Sequence, residues 1–383
     1  DSKVRQNGGN AVDRNQAFAL FGPGSAQFDL GGLSAIYQPT SLDTESWAIF
    51  GQLGYDITDQ LNLTVGLRQG HDDLTGSSGT ILGAIPGFLI PAAPISRQTA
   101  EFDSTTGSVN LSYELQPGVI AYGSYARGNS PGGFNGGGAT ALDFGPQNVD
   151  SFEVGLKSQL LDRRLQLNVA LFENQYSDIH LSQNRFLNGG ITSIVTNAAE
   201  ARGRGLDFDS TAILSNNWSL GLQYTYVDSE ITDYTVPAPP SPQVDLTGVP
   251  LVRSPEHSLN ASITFTRDIG PGEFEFTAAE SYTSSYTNDY LGEPAGYAYL
   301  GIPGELAPGV TSSQVLELFR TKGYAVTNLS ASYSWDNWEV GGSVRNLFDK
   351  EYIGSLLAFD LITNPLEIPG EPRTFEVSLK RKF

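Results

Sequence analysis

The chain predicts an all-β fold, an antiparallel transmembrane β-barrel, and three observations carry that reading. Apolar and polar residues alternate with a period of two, most alternating stretches reach nine residues or more, and short connections alternate strictly with long ones. A period of two means that successive side chains meet two different surroundings, as on a sheet with one face in lipid and the other in water. Length then separates a membrane barrel from a soluble sandwich. A tilted strand needs about 9–11 residues to cross a bilayer, whereas soluble strands cluster near 5–6.

Thirteen strands are expected, at 44–57, 61–70, 103–115, 118–127, 148–160, 164–178, 201–214, 218–229, 256–267, 272–284, 323–335, 337–346 and 374–383. In the second, Leu61, Leu63, Val65 and Leu67 oppose Asn62, Thr64, Gly66 and Arg68. In the sixth, Leu165, Leu167, Val169 and Leu171 oppose Arg164, Gln166, Asn168 and Ala170. Leu220, Leu222, Tyr224 and Tyr226 repeat the pattern, as do Phe375, Val377 and Leu379 in the last strand. The apolar set is assigned to lipid and the polar set to a wet lumen. That lumen would hold the charges Arg68, Glu153, Lys157, Asp207, Asp209, Glu339, Arg345 and Lys380. Trp47, Tyr55, Tyr122, Trp218, Tyr333, Trp335 and Trp338 near strand ends suit the two interfacial aromatic belts.

Six connections are tight: Thr58-Asp59-Gln60, Gln116-Pro117, Leu161-Asp162-Arg163, Ser215-Asn216-Asn217, Ile269-Gly270-Pro271 and Asp336. The six between them are long, near 71–102, 128–147, 179–200, 230–255, 285–322 and 347–373. Short periplasmic turns and long outer loops are the arrangement of outer-membrane barrels. Thirteen is odd, while such barrels close with an even number, so a strand is absent upstream or hidden in 1–43. Residues 1–43 are expected to be outer loop or an incomplete upstream segment, and 44–383 the carboxy-terminal part of the barrel.

Composition narrows the function. Charged residues make up 17% of the chain, below the usual quarter of a soluble globular protein. The net charge of −20 repels nucleic acid, which is excluded as a partner. With 0 cysteines there are no disulfides, thiolate metal sites or cysteine nucleophiles. His71, His180 and His257 are scattered without a zinc spacing, no GxSxG occurs, and GGFNGGG lacks the GK[ST] of a phosphate loop. Asp207 and Asp209, two apart, read as ordinary lumen charges. No catalytic residue, cofactor or metal site is expected, and the protein is read as no enzyme.

VRNLFDKEY at Val344 to Tyr352 and GEPRTFEVSLKRKF at Gly370 to Phe383 resemble the end of the TonB-dependent outer-membrane receptors. WAIFGQLGYDITDQLNLTVGLR from Trp47, YGSYARGNSPGGFNGG from Tyr122, the segment Val149 to Ile179 and GRGLDFDS from Gly203 continue in that family's order. The resemblance implies a 22-stranded barrel in the complete fold, preceded by a plug domain that this chain lacks, so the natural protein is expected to extend further at its amino end. It also implies active import of a scarce nutrient, most often a ferric siderophore, across the bacterial outer membrane. The implied partners are that ligand, outer-membrane lipid and an inner-membrane energy-coupling protein of the TonB type, reached through the missing amino-terminal region. A passive porin-like channel and a structural or adhesive surface barrel are the alternative readings.

Ligand contacts are expected in the outer loops. Arg127, Asn129, Phe134 and Asn135 lie at the top of an upward strand in a Gly-rich segment, where unusual backbone geometry is permitted. Tyr282, Tyr286, Tyr290 and Tyr297 crowd another long loop and offer flat amphipathic surfaces.

Overall fold

A computed structural model describes residues 2–11, 37–80, 83–85, 88–90, 93–135, 143–187, 190–234, 246–288, 319–357 and 366–382. Strands β1 (Ser2–Ala11), β2 (Tyr37–Asp56) and β3 (Leu61–Thr80) precede a small hairpin, β4 (Gly83–Ile85) and β5 (Phe88–Ile90), and then β6 (Ala93–Gln116). After β7 (Val119–Ser130) comes a second insert, β8 (Gly133–Phe134) and β9 (Asp143–Phe144). The wall continues as β10 (Gln147–Leu160), β11 (Leu165–Leu187), β12 (Gly190–Ile213), β13 (Trp218–Tyr234), β14 (His257–Ile269) and β15 (Gly272–Thr283). A short pair, β16 (Tyr286–Thr287) and β17 (Arg320–Thr321), separates these from β18 (Tyr324–Trp335) and β19 (Trp338–Arg345). Another, β20 (Ile353–Leu357) and β21 (Leu366–Pro369), precedes β22 (Thr374–Arg381).

Fourteen strands form one sheet in the order β1-β2-β3-β6-β7-β10-β11-β12-β13-β14-β15-β18-β19-β22. Each strand pairs antiparallel with the next, so the sheet is an unbroken meander with every crossing made by a neighbour. The fourteenth strand, beyond the thirteen expected, is β1. It pairs from Ser2↔Ser46 to Ala11↔Tyr37, within the stretch 1–43 that reads as loop. Its sequence SKVRQNGGNA has almost no apolar residues, so no period of two marks it.

The expected tight turns are all at one end. Leu161, Asp162 and Arg163 have φ of 54°, 54° and 66°, and Asp336 has 47°, the left-handed backbone that lets a short turn follow the twist of its strands. Gly118 at +82° and Gly270 at +60° meet the same need without a Cβ penalty. Thr58 Oγ1 accepts hydrogen bonds from the backbone N–H groups of Gln60 and Leu61, fastening the first turn.

At the other end, much of what sequence patterning assigns to long loops at 71–102 and 179–200 is ladder. β3 runs on to Thr80, β6 begins at Ala93, β11 reaches Leu187 and β12 begins at Gly190. Beyond the bilayer neither face of a sheet meets lipid, so the apolar alternation stops while backbone pairing continues. The buried apolar cluster lies in this outer region too, where Leu181, Ala199, Ile231, Tyr234 and Leu246 pack together. A register shift at Tyr176/Ile179, with Asp178 at φ 56°, marks where β11 leaves the regular ladder.

Candidate functional site

The strand registers carry one face around the whole sheet. Arg68, Glu153, Lys157, Asp207, Asp209, Glu339, Arg345 and Lys380 all fall on the same polar face. On the opposite face stand Leu53, Leu67, Val154, Leu171 and Val377, which are 71%, 63%, 58%, 54% and 85% exposed. A continuous apolar band of that kind requires a lipid environment, because apolar surface costs about 25 cal/mol per Å² in water. Trp47, Tyr125, Tyr226 and Tyr282 border the band toward the loops. Tyr55, Tyr113, Trp218, Tyr333, Trp335 and Trp338 border it toward the turns. Trp47 and Tyr55 are eight residues apart on β2, about 26 Å along the strand and near 20 Å once tilted, the scale of a membrane band.

Tyr122, expected in the belt, stands instead on the polar face. Its hydroxyl donates to Glu153 Oε1 at 2.5 Å, and the Lys157 ammonium lies 5.0 Å from its ring centroid. It opens a recess of about 290 Å³ on the polar face, bounded by Asn168, Asp207, Asp209, Gln223 and Asn260. Thr225 Oγ1 donates to Asp207 at 2.7 Å, and the Asn168 and Gln223 amides donate to Asp209 at 3.3 and 3.4 Å. These carboxylates are thus oriented by neutral donors, and neither is ion-paired among the described residues. A second recess of about 160 Å³ lies among Glu275, Ser330, Ser332, Glu339 and Glu376. The first recess suits hydrogen-bond donors and cations, whereas in the second Glu339 and Glu376 already pair with Lys380 at 2.9 Å and Arg345 at 3.3 Å; the lining of neither assembles a nucleophile with a base.

Of the expected ligand contacts, Phe134 lies on the polar side. The β8–β9 insert folds so that its ring covers Gly76, where an added Cβ would meet Phe134 at 2.6 Å. Asn135, 5% exposed, uses both ends of its amide on one residue of β12: Nδ2 donates to Val195 O at 2.8 Å and Oδ1 accepts from Val195 N at 2.7 Å. Arg127 and Asn129 share the face of Tyr125, and Arg127 pairs with Asp150 at 3.5 Å. Tyr282 is on that outward face as well, beside Ala325. The Tyr286 hydroxyl donates to Gly354 O at 3.3 Å. Tyr290 and Tyr297 lie outside the described residues.

Three asparagines that sequence patterning does not single out as ligand or loop anchors organise these loops. Asn197 donates to Gly145 O and Asp178 O and accepts from Gly145 N at 2.6 Å. Asn346, 1% exposed with φ 50°, donates to Lys350 O and Glu371 O and closes the root of the last loop. Asn288, 6% exposed, joins two loops. Asn346 sits inside the family phrase VRNLFDKEY, whereas Asn288 has no surrounding pattern to mark it.

Above the apolar band the outward face carries charge pairs. Arg204 meets Asp228 at 2.9 Å and Arg202 meets Glu230 at 2.5 Å. His71, Asp73 and Glu101 bring potential ligand atoms within 4.8 Å of one another, the one such group among the described residues. His71 Nδ1 is 2.8 Å from Asp103 Oδ1, and that hydrogen bond, with Asp73 alongside, holds the imidazole above its ordinary pKa.

The family model described as "TonB dependent receptor-like, beta-barrel" matches residues 4–347. The chain belongs to the TonB-dependent receptor family. Among curated relatives, the catecholate siderophore receptor Fiu of Escherichia coli strain K12 is 25% identical over 372 residues, 92% of this chain and 44% of that protein. The metal-pseudopaline receptor CntO of Pseudomonas aeruginosa is 26% identical over 292 residues, 75% of this chain and 34% of its own length. The chain therefore spans less than half of the curated relatives it matches. Among solved structures, the ferric yersiniabactin uptake receptor FyuA from Yersinia pestis superposes with a TM-score of 0.73 at 16% identity, over 100% of this chain and 50% of that one. That likeness establishes the fold. The sheet is thus part of an outer-membrane receptor barrel, with its apolar face in lipid and its polar face toward the lumen, and the family is one of receptors rather than enzymes.

Proposed function

We propose that this chain is the barrel wall and outer recognition surface of a receptor that imports a metal chelate, a ferric siderophore first among them, across the outer membrane. Uptake would draw on a TonB-type energy-coupling protein in the inner membrane, through parts of the receptor beyond this chain. The observation that carries the reading is the pairing of a receptor-family barrel with a polar inner wall whose acidic recesses face the lumen. Relatives named for catecholate siderophore and metal-pseudopaline reception support a chelated metal as cargo.

Ligand contact is assigned first to the loops that carry Phe134, Tyr286, Tyr290 and Tyr297. Arg127, Asn129 and Tyr282 share the outward face, and Asn135 is committed to Val195, so these four would act on the ligand only by shaping the loops. The test is uptake of radiolabelled iron chelated by a catecholate in iron-limited cells lacking the gene, complemented by the full-length receptor. Uptake restored by the receptor and abolished when the coupling protein is deleted is the expected result. Uptake that survives that deletion would mark a passive channel.

A further inference from the structure

Two of the outer loops are fastened to each other. Residues 284–323 connect β15 to β18, and residues 346–373 connect β19 to β22. Asn288 sits where they meet. Its backbone N–H donates to Phe319 O at 2.9 Å and its Nδ2 donates to Thr321 Oγ1 at 2.7 Å, tying the start of the first loop to its end. Its Oδ1 accepts from Leu356 N at 3.3 Å, in the second loop. Thr321, Leu356 and Phe319 are 0%, 3% and 5% exposed, so water does not compete for these bonds. Two further contacts cross the same seam: Tyr286 Oη to Gly354 O, and Tyr324 stacked on Tyr352 with ring centroids 4.3 Å apart. The second loop is closed at its own root by Asn346 and by Arg373, whose backbone N–H donates to Asp349 Oδ1 at 3.0 Å.

We propose that Asn288 is the positioning residue that joins the described roots of these two loops, 284–288 and 319–323 of the first and 346–357 of the second, into one unit on the outer rim, so that the roots shift together. The inference rests on the reading that the outer loops meet the ligand. Its physical basis is that a buried amide serving three partners cannot release one loop without leaving groups of the other unsatisfied. A ligand touching either loop would then bias both, because packed elements shift as units rather than deform.

Hydrogen exchange on the full-length receptor in lipid nanodiscs tests this. Asn288→Ala should raise amide exchange in 319–321 and in 353–357 together, by about tenfold or more, with β11 to β13 unchanged. Asn288→Asp keeps an acceptor for Leu356 N and offers one to the Thr321 hydroxyl, but loses the Nδ2 donor to Phe319 O at 3.3 Å, so its effect should concentrate in 319–321. Exchange that rises only in 319–321 after Asn288→Ala would overturn the proposal. A second measurement uses a receptor in which any cysteine outside this chain, which itself has 0, is first replaced. A disulfide between Tyr324→Cys and Tyr352→Cys, at the stacked ring pair, should leave ferric catecholate uptake unchanged, since the loops need not separate. Uptake lost on oxidation and regained on reduction would also overturn it. Should the unmodified receptor take up no chelate at all, the import reading fails while the exchange pattern still decides the loop coupling.

Discussion

The membrane band and the outer rim are built on the same backbone ladder and held by different side-chain rules. In the band, each strand sorts its residues between lipid and lumen, and side chains such as Val169 and Asn168 need only match their surroundings. In the rim, the same strands β11 and β12 continue for roughly another ten residues with lipid on neither side, and specificity passes to buried and half-buried amides: Asn135, Asn197, Asn288 and Asn346. Hydropathy patterning therefore marks where lipid is, while the shape of the outer rim depends on individual polar contacts.

The largest effect should come from breaking the sorting rule within the band. Val169→Arg places a cation on the lipid face within the apolar band, between Leu167 and Leu171 of β11, and should cost about 2–4 kcal/mol, whereas Asn168→Arg on the lumen face should change stability by less than about 0.5 kcal/mol. Chemical unfolding of the full-length receptor in vesicles measures both. A tighter contrast lies where band meets rim on β12. A Cβ at Gly205 would approach Tyr226 O at 1.9 Å, while Gly203 has nothing within 4 Å. Gly205→Ala should cost about 1–3 kcal/mol by overpacking and Gly203→Ala should be close to neutral in the same assay.

Within the rim, Asn135→Ala removes two hydrogen bonds to Val195, each worth about 1 kcal/mol, and should speed exchange at Val195 without moving the unfolding midpoint of the barrel. The smallest effect is electrostatic. The imidazole of His71 is held above its ordinary pKa by its hydrogen bond to Asp103, so its contribution is complete below the unfolded-state pKa and fades as pH rises through the folded one. Protection of the amides in 71–73 and 101–103 should fall across that window, and His71→Ala should flatten the profile.

The band was legible from sequence because two solvents impose one period: every strand from β2 to β22 in the large sheet overlaps an expected one, and all eight lumen charges share a face. β1 and the outer halves of β3, β6, β11 and β12 were not, because a ladder outside the lipid is not sorted between two solvents and shows no hydropathy period. Tyr122 was misassigned for a related reason. An aromatic residue near a strand end reads as belt unless its parity is followed, and Tyr122 shares parity with Ser124 on the lumen face. The site was legible only as loops. Phe134 and Tyr286 were reachable by composition, whereas the partners of Asn197 and Asn288 are 52 and 33 residues away at Gly145 and Thr321, distances that no local pattern encodes.

The most direct test of the two-faced wall is a single-cysteine scan of Leu165 to Phe172 in the full-length receptor, spin-labelled in a bilayer; this chain contributes 0 native cysteines, and any elsewhere in the receptor are replaced first. Oxygen accessibility should peak at Leu165, Leu167, Val169 and Leu171, and accessibility to a water-soluble nickel chelate, or immobilisation by lumen contents, should mark the positions between. A profile with no period of two, or with Val169 open to the nickel chelate, would contradict the assignment of this face to lipid and with it the barrel that the account is built on.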